Sequence, residues 1–152
     1  MSSPECPACA VVRGERVLPG GILLREGPFT VHALDGPTPV PGWLVVTAAR
    51  CTRGVYTLEG PELSALMPLC ARVMQAQRRA LGAEHVYLFA LGDVLQHCHV
   101  HLVPRFAQTP AHLRGRGAFD ARPEEHLATA AVEAACRTVQ DALALTPEAG
   151  SR

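Results

Sequence analysis

The sequence predicts an α+β fold with an antiparallel sheet of about five strands, one main helix and a C-terminal helix. Apolar and β-branched runs of strand length occupy the first fifty residues and recur after residue 84. Between these two regions the apolar residues change to helical spacing. Several strands, then one helix, then two strands joined by a short connection are typical of α+β domains with an antiparallel sheet.

Turn residues delimit the strands of the first third of the chain. The stretch "GERVLPGGILLREG" predicts two short strands around a turn at Pro19, Gly20 and Gly21. The stretches "PFTVHAL" and "WLVVT" predict two further strands. Between them, "DGPTPVPG" holds three prolines and two glycines, so it is expected to be a loop.

Residues 61–81 predict the main helix. Pro61 suits its first turn and Gly82 its end, while Pro68 is expected to bend it near the start. The stretches "HVYLFAL" and "HCHVHLV" then predict two strands, and Pro104 is expected to close the second.

The C-terminal part of the chain predicts a loop followed by a helix. Residues 106–123 are polar and contain glycines, which favours a surface loop. Residues 124–145 carry apolar side chains at helical spacing. The sequence leaves open whether this helix packs on the sheet, covers the site or mediates dimer contacts.

Composition excludes several classes of protein. With 48% apolar and 18% charged residues, the 152-residue chain is expected to form one compact domain with a tail. The 14 basic and 14 acidic residues balance, which argues against electrostatic binding to nucleic acid or to a membrane surface. No apolar run reaches the roughly 18 residues of a membrane span. The start of the chain lacks the pattern of a signal peptide, so the expected location is cytoplasmic.

Three histidines alternate in the stretch "QHCHVHLVPR". On a strand, His97, His99 and His101 would share one face, with neighbours about 6.5–7 Å apart at Cα. A single histidine here would most often be a polar residue with its hydrogen bonds satisfied. Three in alternation favour chemistry, because each buried imidazole needs partners. From spacing alone they are candidate metal ligands or a nucleophile with its helpers.

A pair of cysteines near the N-terminus has the spacing of half a zinc site. Cys6 and Cys9 are separated by two residues, which lets both thiolates reach one ion, and two further ligands are needed. A redox pair is the alternative, although such pairs normally follow a strand and open a helix. Without a secretion signal, the six cysteines are expected to be reduced thiols or metal ligands.

The histidine strip resembles the signature of the histidine triad family, in which three histidines alternate with apolar residues. The resemblance implies an α+β homodimer that hydrolyses or transfers nucleoside monophosphate groups. It also implies that His99 attacks the α-phosphorus of the substrate and forms a covalent nucleotidyl-histidine. His101 would bind a phosphate oxygen or assist the leaving group. The implied substrates are nucleotide conjugates such as dinucleoside polyphosphates and nucleoside phosphoramidates.

The resemblance extends upstream of the strip. Many members carry an aspartate seven residues before a Gly-His pair, and here Asp35 stands seven residues before Gly42. The resemblance therefore implies that Asp35 binds the ribose hydroxyls of the nucleotide, whereas the residues alone also allow an aspartate that opens a turn. Trp43 replaces the usual histidine and can be a core residue or a base-stacking residue.

Zinc-containing members of the family, and the related galactose-1-phosphate uridylyltransferases, also resemble this chain. They bind zinc through an N-terminal Cys-x-x-Cys, a histidine nine residues after the glycine, and the first triad histidine. Carried over, the Zn²⁺ ligands are Cys6, Cys9, Cys51 and His97, with Cys51 in place of the histidine. Four protein ligands leave no open position, so the zinc would be structural.

The chain is expected to divide into two parts, and the resemblance covers only the first. Residues 1–105 would form the histidine triad domain with its N-terminal zinc-binding segment. Residues 106–152 would be a loop and helix extension packed on the same domain.

One stretch departs from the family pattern. Many members have a longer loop before the triad whose Gln and Ser/Thr side chains contact phosphate, but here Asp93 and Val94 stand at those positions. Gln96 is the nearest polar substitute and is expected to face away from the histidines. A nucleotide-binding module with little or no catalysis therefore stays open as an alternative. The histidine strip leaves open a second one, a metal-dependent hydrolase that uses His97, His99 and His101.

Overall fold

A computed structural model describes residues 5–146 of the chain, and it confirms the α+β fold with five antiparallel strands. The strands are β1 (Ile22–Glu26), β2 (Phe29–Ala33), β3 (Leu44–Ala48), β4 (His85–Phe89) and β5 (His99–Arg105). They form one sheet in the order β1-β2-β3-β5-β4. The central position of β3 and β5 means that the histidine-bearing strand lies inside the sheet.

Three α-helices accompany the sheet: α1 (Pro7–Val12), α2 (Gly60–Leu81) and α3 (Thr129–Ala144). The main helix α2 lies within one residue of the predicted range and continues through the exposed Pro68. It ends at Gly82, whose φ of 74° is the left-handed conformation that favours glycine. None of the described helices is long and apolar enough to cross a membrane.

The two faces of the sheet bury different side chains. Helices α2 and α3 pack on one face and form the main core with alternate residues of the central strands. These strand residues are Phe29, Val31, Ala33, Leu44, Val46, Ala48, Val100 and Leu102. The intervening residues face the other side of the sheet, as strand alternation requires. That second face carries His99 and His101.

The prediction of a strand before Pro19 is wrong. Of the two strands expected around the glycine turn, only β1 forms, and its hairpin partner is β2. Residues 13–21 therefore contain no strand. Leu18 is buried in the core while the neighbouring Val17 is almost fully exposed, and Gly20 and Gly21 both have positive φ.

The histidine strand begins later and ends later than predicted. β5 starts at His99 and runs through Pro104. Pairing with β3 ends at Leu102, so Pro104 pairs with β4 alone, an edge position that proline tolerates. His97 precedes the strand because the N–H of Cys98 donates to the carbonyl of Thr52, in the loop after β3.

The C-terminal helix also begins later than predicted, at Thr129 and not at residue 124. The N–H of Leu127 donates to the carbonyl of Thr38 at 2.9 Å, which holds the preceding residues against another loop. Residues 106–123 form short 3-10 turns and are more than a polar surface loop, because Leu113 and Ala118 are buried.

Gln77 of α2 connects the helix layer to the sheet. Its side chain is fully buried, and Nε2 donates to the carbonyls of Gly42 at 2.8 Å and Leu102 at 3.0 Å. These two carbonyls belong to the residues that adjoin Trp43 and His101 along the chain. Gln77 therefore fixes the backbone of both central segments from the side opposite the candidate site.

We expect Gln77→Met to lower the free energy of unfolding by about 2 kcal/mol, because two buried carbonyls lose their donor. Gln75→Met, on the exposed face of the same helix, is the matched control and should change stability by less than about 0.5 kcal/mol. Urea unfolding of the two variants measures both values. Equal transition midpoints would show that the Gln77 bonds contribute no net stability.

Candidate active site and metal cluster

The second face of the sheet opens into a cavity of about 500 Å³. Polar side chains from three strands form its floor, namely His32, Thr47, His99 and His101. Helix α1 and the loop of residues 90–98 border it on one side, and the segment around Phe119 borders it on another. A cavity of this volume is large enough for a small-molecule ligand.

A backbone hydrogen bond fixes the ring of His99. Its Nδ1–H donates to the carbonyl oxygen of His97 at 2.6 Å. A carbonyl only accepts, so in the neutral ring the proton lies on Nδ1 and the lone pair on Nε2. The sequence placed the histidine in the strand, but only the backbone geometry identifies the nitrogen that carries the lone pair.

His101 is fixed by Trp43, the residue that replaces the family's histidine. The indole Nε1–H donates to His101 Nδ1 at 3.1 Å. Trp43 is 3% exposed and belongs to a small core cluster on this face of the sheet, so it is a core residue. Burial, followed by the nearby His99 and His32, lowers the pKa of His101 to about 4.

His32 and Thr47 are cavity residues that the sequence reasoning missed. The Nδ1–H of His32 donates to the Ala33 carbonyl at 2.7 Å, and the Thr47 hydroxyl bonds to Nε2 at 2.7 Å. Burial lowers the pKa of His32, which favours the neutral ring. Strand alternation in "PFTVHAL" could have identified His32. Side chains of a strand alternate between its faces, so His32 must lie on the face opposite the apolar Phe29 and Val31.

The segment after β5 contributes two further missed residues. The ring of Phe119 packs edge-on against Trp43 and His101, with centroid distances of 4.8 and 5.2 Å. The guanidinium of Arg116 lies 5.5 Å from the Phe119 ring and lines the same cavity. No strand or helix pattern marked these residues, since they lie in the predicted surface loop.

The structure brings together Cys6, Cys9, Cys51 and His97. One potential ligand atom from each lies within 4.8 Å of all the others. His97 Nε2–H donates to the Ala48 carbonyl at 2.7 Å, which leaves the Nδ1 lone pair facing the sulfurs. Both Cys6 Sγ and Cys9 Sγ lie 3.5 Å from this Nδ1.

The geometry of this cluster fits a tetrahedral metal ion. With bonds of about 2.3 Å to sulfur and about 2.0–2.1 Å to nitrogen, tetrahedral zinc places S and N roughly 3.5 Å apart. Burial lowers the pKa of His97 and so favours the neutral ring that a metal needs. Burial works to raise the pKa of the Cys6 thiol, but hydrogen bonds from Cys9, Ala8 and Cys51 outweigh it and lower that pKa. The four residues can therefore hold a metal.

The other three cysteines lie in the main core. Cys70, Cys98 and Cys136 are each at most 3% exposed. Burial raises the pKa of Cys70 and Cys136 to about 11, so both are thiols at neutral pH. The six cysteines thus divide into a metal-type cluster and three small apolar core residues.

Asp35 lies at the opening of the large cavity. It lines the cavity and forms an ion pair with Arg16, with Asp35 Oδ2 2.5 Å from Arg16 Nε. Asp35 lies in the connection between β2 and β3. Although it is far from the histidines in sequence, it lines the same cavity as His99 and His101.

A second, smaller cavity of about 250 Å³ shares His99, Leu91 and Gly92 with the first. Arg53 and Gln96 contribute polar groups to its lining. Gln96 precedes β5, so strand alternation does not apply to it, and it lines this cavity together with His97 and His99. Asp93 and Val94 line the larger cavity, and Val94 is fully exposed.

Comparison by sequence gives no match. No protein-family model matches the chain, and no curated protein matches it.

Comparison by structure gives clear matches to histidine triad proteins. A Hit-like protein from Bartonella henselae, described as involved in cell-cycle regulation, has a TM-score of 0.72 at 14% identity and covers 93% of this chain and 98% of its own. A hypothetical histidine triad nucleotide-binding protein from Sulfolobus tokodaii has a TM-score of 0.72 at 16% identity, over 91% and 92% of the two chains.

A third similar structure is a zinc-bound histidine triad family protein from Mycobacterium smegmatis. Its TM-score is 0.70 at 20% identity, over 94% of this chain and 96% of that one. The TM-scores establish a shared architecture, and identities this low show the fold alone. The chain has the fold of the histidine triad proteins.

Proposed function

We propose that the protein is a histidine triad enzyme, a nucleotide hydrolase or nucleotidyl transferase that acts at the α-phosphate of a nucleotide conjugate. The observation that carries this proposal is the hydrogen bond from His99 Nδ1–H to the His97 carbonyl. It orients a neutral imidazole with its Nε2 lone pair available, where two cavities meet. A neutral, oriented imidazole is a capable nucleophile.

The chemical step follows from this orientation. His99 Nε2 donates its electron pair to the α-phosphorus as the bond between phosphorus and the leaving group breaks. The resulting nucleotidyl-imidazole keeps its Nδ1 proton, which stays bonded to the His97 carbonyl and spreads the positive charge of the ring. Water or another acceptor then attacks phosphorus, the electron pair of the N–P bond returns to Nε2, and the proton that the acceptor loses passes to bulk water.

Two other side chains bind the substrate in this proposal. His101 contacts a phosphate oxygen of the group that His99 attacks, since the centroids of the two rings lie 4.9 Å apart. Asp35 accepts hydrogen bonds from the ribose hydroxyls, for which a carboxylate is a good paired acceptor. The large cavity holds the nucleoside between these two groups.

His99→Ala tests the nucleophile. We expect kcat/KM to fall by about 10⁴-fold or more, because the covalent route is lost. Mass spectrometry of the wild-type protein mixed with a nucleotide conjugate should find one nucleoside monophosphate on the peptide that contains His99.

The same variant shows whether His99 is a nucleophile or a metal ligand. His99→Ala should keep the metal content of the wild-type protein, because its ring lies outside the cysteine cluster. Loss of the metal, or an adduct on another residue, would contradict the assignment.

Asp35→Asn tests ribose binding. We expect wild-type KM to be about tenfold higher for a 2′,3′-dideoxy nucleotide than for the ribonucleotide, since a carboxylate forms charge-assisted hydrogen bonds to both hydroxyls. The variant should lose this discrimination. Arg16→Gln, which removes the ion pair of Asp35 but not its carboxylate, is the control and should keep it. Unchanged discrimination in Asp35→Asn would exclude the role.

We also propose that Cys6, Cys9, Cys51 and His97 bind a structural Zn²⁺. A Cys₃His set without an open position is typical of structural zinc. The ion would tie α1 to the segment that precedes β5, and so would hold the His97 carbonyl that orients His99.

Cys51→Ala and Cys51→His form a matched pair for this site. The alanine variant should lose zinc, which elemental analysis measures at one ion per wild-type chain. Its Tm should fall by about 10 °C, because bound metal well above its Kd contributes about 3 kcal/mol. The histidine variant should keep the zinc and most of the stability. Full metal content in Cys51→Ala would remove Cys51 from the ligand set.

A nucleotide-binding module with little catalysis is the second candidate. Asp93 and Val94 support it, because neither side chain donates a hydrogen bond to phosphate and both line the large cavity. Tight binding of AMP without turnover or adduct would favour this candidate. A catalytic metal on the histidine strip has less support. Among residues 5–146, three or more potential metal ligands come close together only in the cluster of Cys6, Cys9, Cys51 and His97.

The remaining expectations are part of the same proposal. The chain acts as a cytoplasmic homodimer, and light scattering in solution measures its state of assembly. We assign residues 106–152, of which 147–152 lie outside the described residues, to an extension of the histidine triad domain. In support, Phe119 packs beside His101, and α3 contributes Val132 and Val139 to the main core.

A further inference from the structure

The bond between Trp43 and His101 restricts what His101 can do. An indole N–H is a donor only, and it occupies Nδ1 of His101 at 3.1 Å. A proton on Nδ1 would place two N–H groups head to head. The neutral ring therefore carries its proton on Nε2, and the doubly protonated ring cannot form without breaking this contact.

The surrounding structure prevents Trp43 from moving away. Phe119 packs edge-on against both rings, so the pair is enclosed from the side of the cavity. From the opposite face, Gln77 holds the carbonyls of Gly42 and Leu102, which adjoin Trp43 and His101. Trp43 itself is 3% exposed, so water does not compete for its N–H.

The groups that face His101 also disfavour a positive charge on it. His99 and His32 lie on the same sheet face, and both lower its pKa. Asp35, Asp93, Asp120 and Arg116 line the same cavity from the loops. Of these, Asp35 pairs with Arg16, and Asp120 lies 3.6 Å from Arg116. Asp35 and Asp120 are thus each paired with an arginine, whereas Asp93 is exposed, so that solvent screens its charge.

We propose that Trp43 is a positioning residue that fixes His101 as a neutral hydrogen-bond donor through Nε2–H, and that the site therefore selects conjugates whose leaving group departs as an anion. The substrate class is then the phosphoanhydrides, such as dinucleoside polyphosphates, and not the phosphoramidates. This inference rests on the proposed function for its substrate part, while the state of His101 stands on the geometry alone.

The balance of charges gives the reason for this selection. When His99 Nε2 attacks the α-phosphorus of an anhydride, the P–O bond breaks and the leaving phosphate takes both electrons as a stable anion. No proton has to be supplied. His101 Nε2–H only donates a hydrogen bond to a phosphate oxygen as negative charge develops there.

An amine leaving group has a different requirement. Departure of an alkylamine from phosphorus needs a proton on the nitrogen. A neutral His101 could supply one only by becoming an imidazolate anion. The Nδ1 proton of His99 stays in its hydrogen bond to the His97 carbonyl. The phosphoramidate thus depends on a proton from bulk water.

Nitrogen-15 NMR of the histidine rings tests the state of His101. In the wild-type protein, His101 Nδ1 should have the chemical shift of a nitrogen with a lone pair, and Nε2 that of a protonated nitrogen. Both chemical shifts should stay the same between pH 5 and 8. Trp43→Phe should mix the two tautomers and raise the pKa of His101 by about one pH unit, the value of one hydrogen bond to the neutral form. Phe119→Leu, which disturbs packing but removes no donor, is the control and should keep the wild-type tautomer.

A proton on Nδ1 in the wild-type protein would overturn the proposal even if Trp43→Phe fails to fold. The same is true of a tautomer that Trp43→Phe leaves unchanged.

Kinetics tests the substrate class. The wild-type kcat/KM should be at least about 100-fold higher for an adenosine phosphoanhydride than for an adenosine phosphoramidate of an alkylamine. His101→Gln, which places an amide N–H near the Nε2 position, should keep the anhydride activity within about tenfold. His101→Asn, which does not reach that position, should lose about 100-fold.

The outcomes separate the two proposals. Equal rates on both substrates would refute the selection while leaving the nucleotidyl-histidine in place. No turnover and no adduct with either substrate would refute the proposed function and the substrate class together. In that case the NMR measurement still decides whether Trp43 fixes His101.

Discussion

The register between β3 and β5 is the constraint on which the site depends. These two strands pair antiparallel at the centre of the sheet, with Thr47 opposite His99 and Val45 opposite His101. A slip of one residue would turn both histidines into the helix-covered core and bring Val100 to the cavity. The same register brings the end of β3 beside residue 97, so that the Ala48 carbonyl accepts a hydrogen bond from the ring Nε2–H of His97. Packing against α2 fixes this register, because only this parity turns Val100 and Leu102 into the main core beside Val46 and Leu44.

Given the register, each histidine of this region has one ring nitrogen bonded to a fixed partner. His97 and His99 donate to backbone carbonyls, whereas His101 accepts from an indole. The partner decides whether the other nitrogen offers a lone pair or a proton. Three residues of one type in one short stretch thereby become chemically different. The differences come from the backbone and from Trp43, and not from the histidines themselves.

The surroundings of Cys51 and Trp43 likewise show what these two departures from the family pattern do. Cys51 stands where a histidine is usual, and its thiol lies within ligand distance of the cysteine pair and His97. Trp43 replaces another histidine and can only donate, which removes a titratable group from contact with His101. A titratable partner could exchange protons with His101, but an indole cannot. With Trp43 in place of a histidine, His101 beside the candidate nucleophile His99 has fewer accessible protonation states than it would have next to a titratable residue.

Sequence by itself determined the parts of this protein that depend on local pattern. The α+β class, the helix α2 with its end at Gly82, and the parity of His99 and His101 on one face follow from periodicity and turn residues, because these act over a few residues. The grouping of Cys6, Cys9, Cys51 and His97 came from the family resemblance, since no local rule joins positions so far apart. Only the tertiary structure decided that His97 lies outside the strand, that the loop after β5 packs Phe119 beside His101, and which nitrogen of each ring carries the proton. These features depend on single hydrogen bonds between segments distant in sequence, and residue type alone does not specify such bonds.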